Sequence, residues 1–184
     1  IGNAAPLAMQ GDKSLPVSFE SAELYRWMGE DLGNGIAAVH RDGLNQHSGS
    51  DNLSFLHRTA LDAVMSSDQV RKAAASRPMT SWPSGDLAGQ LRMVSALIGA
   101  DMPTRVYYVT LGGFDTHANQ EGAHQRLLRQ VGDSLKAFHE ELKAQGNDAR
   151  VLTMVFSEFG RRVAENASGG TDHGTAAPMY LIGP

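Results

Sequence analysis

Three short polar clusters hold the residues of this sequence that could do chemistry: Gly112-Gly-Phe-Asp-Thr-His117, Ser157-Glu-Phe-Gly-Arg-Arg162 and Gly170-Thr-Asp-His-Gly174. In the first, Asp115 and His117 stand two residues apart in a loop. A carboxylate oxygen and an imidazole nitrogen at that spacing can grip one cation, and both suit zinc, manganese or a calcium-like ion. The same pair also reads as a turn aspartate and a histidine leading into a helix. Gly112 and Gly113 before it let the backbone approach a neighbour closely. Glu158 follows an apolar run and would point into a crevice, unless it pairs with Arg161 or Arg162. A guanidinium at a crevice rim binds phosphate or sulfate oxygens through two parallel hydrogen bonds, which makes Arg161 the candidate for anion contact and leaves Arg162 as surface charge. Asp172 and His173 lie between glycines, in a loop where both side chains can turn towards a common centre. Together Asp115, His117, Glu158, Asp172 and His173 form a candidate metal or anion site. The sequence has no cysteine, so a metal would have to rely on imidazole and carboxylate.

These clusters need elements to bring them together. Val106-Tyr-Tyr-Val-Thr-Leu111 and Val151-Leu-Thr-Met-Val-Phe156 are short, apolar and rich in β-branched residues, and Met179-Tyr-Leu-Ile182 follows the third cluster. Such runs, bounded by Gly and Pro, read as buried strands. A helix is expected over 120–145, with Leu128, Val131, Leu135, Phe138 and Leu142 on its packed stripe and Gly146-Asn147 ending it. Strand, helix, strand is a βαβ unit, so 106–111 and 151–156 are expected as parallel neighbours. Open α/β sheets bind ligands at the carboxyl ends of their strands, which is where the first two clusters fall. Residues 105–184 are therefore taken as a βαβ core carrying the site.

Residues 1–104 read as a helix- and loop-rich part of the same domain. Short strands are expected at Pro6–Met9 and Leu15–Phe19, a short helix over 21–28, and longer helices over 52–75 and 86–100. Leu87, Leu91, Val94, Leu97 and Ile98 mark the packed face of the last. Residues 29–51, dotted with Gly29, Gly33, Gly35, Gly43 and Gly49, read as a long loop and a lid candidate. Among the remaining histidines, His124 could face the crevice, His139 reads as solvated beside Glu140 and Glu141, and His47 could reach a site from the lid.

The 184 residues are 41% hydrophobic and 20% charged, an ordinary globular composition. A formal net charge of −4, with no basic run, argues against nucleic acid or an anionic membrane as the main partner. No apolar segment reaches the ~18 residues of a membrane span, and the first residues do not have the form of a signal peptide. The chain opens on Ile1 and stops at Pro184 directly after an apolar run, so further chain is expected on both sides.

The three clusters, with Glu165-Asn-Ala-Ser-Gly-Gly170 between the second and third, resemble the DUF1501 family of bacterial proteins, many of them exported by the twin-arginine route. The resemblance is dense over 105–184 and looser before it. It implies a periplasmic or exported protein. The family in turn is similar to the alkaline phosphatase and sulfatase superfamily. That implies an α/β fold, an alkaline-phosphatase-like, mostly parallel sheet with flanking helices, of which this chain would be the C-terminal portion. It also implies hydrolysis of a small anionic phosphate or sulfate ester by divalent metal, zinc first and manganese or calcium as alternatives. Asp115, His117 and His173 match one metal site of that superfamily. The second site's Asp-His pair reads Glu158-Phe159 here, and Phe cannot ligate. The superfamily's nucleophilic Ser or Thr belongs to an N-terminal segment not recognisable in this sequence. Arg161 would neutralise charge developing in the transition state, and Asp172 would ligate or orient an imidazole. The competing expectation is a non-catalytic exported binding or scaffold protein that retains the fold.

Overall fold

The computed structural model describes residues 66–184 continuously, preceded by residues 6–9, 17–19, 21, 35, 38, 39, 42, 52 and 56. The chain forms two compact units, Ile1–Ser76 and Arg77–Pro184. In the first, Leu7–Met9 is a single 3-10 turn closed by the Met9 N–H donating to Pro6 O at 2.9 Å, where a short strand was expected. Proline's fixed φ suits the start of such a turn better than a ladder, to which it has no N–H to give. Of the lid candidate, only residues 35, 38, 39 and 42 are described, and they are helical. Residues 52, 56 and 66–74 are helical too, as expected, and Val70 and Ala73 are buried.

The second unit is built on two helices, α1 (Asp86–Gly99) and α2 (Gln120–Ala144). Leu87, Ala88, Leu91, Val94, Leu97 and Ile98 recur every three or four residues and are all buried, as are Ala137, Phe138 and Leu142 of α2. α1 and α2 pack on each other. Each fully buried Leu, Ile or Phe in such a contact contributes about 1.5–3 kcal/mol. Glu141 lies inside this interface, only 2% exposed. Its carboxylate accepts the Met79 and Thr80 N–H groups at 2.9 Å each and the Thr80 hydroxyl at 2.7 Å. The punctuated segment before α1 is thereby tied to the far helix. Burial pushes the Glu141 carboxyl up, but these donors outweigh it and hold its pKa below 4.5.

The expected stripe on α2 holds only in part. Phe138 and Leu142 are buried, whereas Leu128 is 59% exposed. Apart from Gln120, the buried residues of α2 all lie between Ser134 and Leu142, so α1 covers its C-terminal half. His139, expected to be solvated, is half-buried, and burial lowers its pKa.

The described strands are short and form two antiparallel pairs. β1 (Thr153–Val155) pairs with β4 (Tyr180–Ile182) in the register Thr153↔Ile182, and β2 (Gly160–Arg161) pairs with β3 (His173–Gly174) in the register Arg161↔His173. The parallel pairing expected between 106–111 and 151–156 is not among the described ladders. The two segments are nonetheless close, for the Tyr108 and Phe156 rings lie 6.4 Å apart. Thr110 is held to α1 by Gln90, whose amide exchanges two 3.3 Å hydrogen bonds with its backbone. Val106, Leu152, Met154, Phe156 and Leu181, expected in a buried sheet, are exposed. A two-stranded ladder has no second layer to cover either face.

Candidate metal centre

The first cluster enters α2 through Asn119, which adopts the left-handed conformation at φ 46°. That kink aims the helix start at the third cluster. The N–H groups of Asn119 and Gln120 donate to Ser168 O and Gly169 O, both at 3.0 Å. First-turn amides have no partner inside a helix, so a loop that supplies carbonyls docks there naturally. The loop holds its own shape through Asn166, whose Oδ1 accepts the Ser168 and Gly170 N–H groups. A Cβ at Gly170 would run into the His117 carbonyl, so the contact requires glycine.

This docking sets Asp172 and His173 against Asp115 and His117. Asp115 Oδ1 lies 3.0 Å from His117 Nε2 and 2.8 Å from His173 Nε2. One atom from each of the three residues falls within 4.8 Å of the other two, the spacing of a shared cation site. The two imidazole centroids are 4.9 Å apart. Behind His117, Asp172 Oδ1 stands 3.4 Å from Nδ1 and accepts the Asn166 amide at 3.2 Å. Asn166 also donates to the His117 carbonyl at 3.0 Å.

The donor set fits a divalent cation. Both His117 nitrogens face carboxylate oxygens, and a neutral imidazole has a single N–H to give. With Nδ1–H directed at Asp172, Nε2 presents a lone pair towards Asp115, and a cation between them satisfies both. A carboxylate behind a ligating histidine is the usual arrangement that fixes its tautomer and raises its basicity. The His173 hydrogen bond holds the Asp115 carboxyl below the usual range; burial opposes this and His117 adds to it. Asp172 is held down by the Asn166 hydrogen bond first and then by His117. Both acids therefore stay anionic at neutral pH, as a cation site requires. All three candidate ligands are exposed, which leaves coordination positions open to solvent.

The other sequence candidates take different places. Glu158 is exposed and lies outside the three-residue group. Arg161 projects from β2 beneath the site, where Nη1 donates to Thr171 O and Nη2 to Phe114 O. It thus joins the residue before Asp115 to the residue before Asp172. Its guanidinium carbon also sits 5.2 Å over the Phe159 ring, and that ring stacks on His173 at 4.2 Å. His124 supports the same loop from below, edge-on to Phe114 and 3.4 Å from its carbonyl. Asn166 and Gln120 escaped the sequence reading, in which Phe159 stands out only as a residue that cannot ligate. Asn-Ala-Ser-Gly-Gly does carry the signature of an aspartate-type turn, which could have drawn attention to Asn166. Gln120 donates to Thr116 and accepts the Thr171 hydroxyl at 2.8 Å, a cross-link with no local sequence signal.

Among the described residues no helix is long and apolar enough to cross a membrane. The family described as protein of unknown function (DUF1501) matches residues 39–184 of this sequence. No curated protein and no solved structure matches it.

Proposed function

We propose a function for this chain, which belongs to the DUF1501 family: it is a metal-dependent hydrolase of phosphate or sulfate esters, with a divalent ion, zinc in the first instance, held by Asp115, His117 and His173. The observation that supports this most is the sharing of one Asp115 oxygen by the Nε2 atoms of two histidines, at 2.8 and 3.0 Å, with Asp172 behind His117. Three protein ligands with open positions are the pattern of catalytic zinc, whereas structural zinc is closed by four. A bound divalent ion would polarise an ester oxygen and bring the pKa of water towards neutrality. The chain's own residues supply the rest. Asp172 fixes the tautomer of His117. Phe159 holds the His173 ring in plane. Arg161, with both terminal nitrogens on backbone carbonyls, keeps the two ligand loops in register and is assigned this role instead of substrate contact.

The mostly parallel, alkaline-phosphatase-like sheet, the C-terminal place of this chain within it and export to the periplasm are parts of the same proposal. They rest on the resemblance of the three clusters. A nucleophile would come from outside this sequence. A second reading, a non-catalytic exported binding or scaffold protein, is favoured by the commitment of Arg161 to backbone and by the position of Glu158 outside the cluster. Metal analysis of the full-length protein, joined to turnover of an aryl phosphate and an aryl sulfate, separates the two. Bound zinc with turnover that His173→Ala abolishes supports the hydrolase. Bound zinc without turnover of either ester supports the scaffold. Absence of bound metal contradicts the hydrolase.

A further inference from the structure

Away from the metal centre, the segment leading into α1 and the middle of α2 line an open groove of about 460 Å³. Its walls carry Arg126, Arg129, Gln125 and Gln130 from α2, and Ser134 lies in its lining. Arg126 and Arg129 are one helical turn apart, so their side chains leave the same face. Neither has an ion-pair partner among the described residues. Ser134 is wholly buried, and its Oγ has no hydrogen-bond partner there. A buried hydroxyl without a partner is uncommon and marks a place where a ligand atom or water belongs.

The opposite wall is Pro83-Ser84-Gly85, which opens α1, and no side chain caps that helix. This lead-in lines the groove, whereas the residues of α1 itself, whose first turn carries Asp86, are not part of the lining. Gly85, at φ 120°, adopts a conformation L side chains rarely reach, and a Cβ there would stand 2.9 Å from the Gln130 amide nitrogen. The glycine thus lets the helix start and the Gln130 amide approach each other. Two guanidinium groups without an ion pair among the described residues, two side-chain amides and an orphan hydroxyl all supply hydrogen-bond donors. Asp133 in the lining and Asp86, next to Gly85, are acids and oppose them.

We infer that this groove is a second, metal-independent site for a tetrahedral oxyanion, a phosphate or sulfate group either free or carried on an ester. Guanidinium forks match the paired oxygens of such groups, and two forks one helical turn apart can reach different oxygens of one tetrahedral ion. The inference is independent of the metal centre and survives its failure.

Calorimetric titration of the full chain in EDTA with inorganic phosphate, inorganic sulfate and phenyl phosphate tests it. One saturable site per chain is expected. Arg126→Gln with Arg129→Gln should weaken binding roughly tenfold or more at unchanged melting temperature, as two charge-assisted contacts are lost. Asp133→Asn, which removes one opposing charge, should tighten it severalfold. Tighter binding of phenyl phosphate than of the free ion identifies an ester ligand, and the reverse identifies the free ion. Absence of binding to all three, affinity unmoved by both substitutions, or loss of binding in His173→Ala instead would overturn the assignment.

Discussion

At the residue scale His117 is the pivot of the site, since its two nitrogens face Asp115 and Asp172. If Asp172 orients the imidazole, Asp172→Asn should weaken zinc affinity about 10–100-fold and leave the fold intact, since supporting carboxylates are worth that much. Competition with a metal-binding dye reads the change. Asp115→Asn and His173→Ala each remove a ligand and should abolish stoichiometric zinc binding in the same assay. A side chain that only shaped the loop would show itself instead as a lower melting temperature with metal affinity preserved. That Asp115, His117 and His173 come together was legible in the sequence only as an expectation, because Asp-Thr-His serves a turn and a helix start as readily as a cation. The partner that arranges them was less so. Asn166 acts through one loop on the carbonyl of His117 and on Asp172, and that convergence exists only once the chain has folded.

At the scale of elements, Arg161 joins two loops that are more than fifty residues apart in sequence, through Phe114 O and Thr171 O. Arg161→Met should raise amide hydrogen exchange in residues 112–117 and 170–174 and weaken zinc binding, without altering exchange in α1. Glu141 does comparable work at the helix interface. Glu141→Ala strands the Met79 and Thr80 amides and should destabilise the unit of residues 77–184 by on the order of 3 kcal/mol in denaturant unfolding. Its pKa is depressed on folding, so the stability it adds is complete above its ordinary value of 4.5 and is lost as the pH falls through the lower folded value. Glu141→Gln should flatten that acid limb. Both helices could be read from their periodicity, and five of five predicted positions on α1 are buried, so the reading of that face holds. Leu128 fits the same period yet is exposed, because periodicity tells which face is apolar and not how far a partner helix extends. The strands show the converse limit. Apolar, β-branched runs are present, but pairing depends on partners distant in sequence, and β1 finds β4.

For the molecule as a whole, the proposed cation site would link binding to folding. Two loops and the start of α2 meet at the site, so an ion that binds only their folded arrangement stabilises the chain. Zinc at about a hundred times its dissociation constant should add about 2.7 kcal/mol, seen as a higher melting temperature that EDTA reverses. A net charge of −4 argues against nucleic acid as the main partner, and in the proposed reaction the choice of ester would fall to the site itself. The measurement that bears most directly on the central proposal is anomalous scattering at the zinc edge from crystals of the intact protein. A single peak about 2.0–2.2 Å from Asp115 Oδ1 and from the Nε2 atoms of His117 and His173 is the predicted result. Zinc-soaked crystals with no peak there, or with the ion on other side chains, would contradict it.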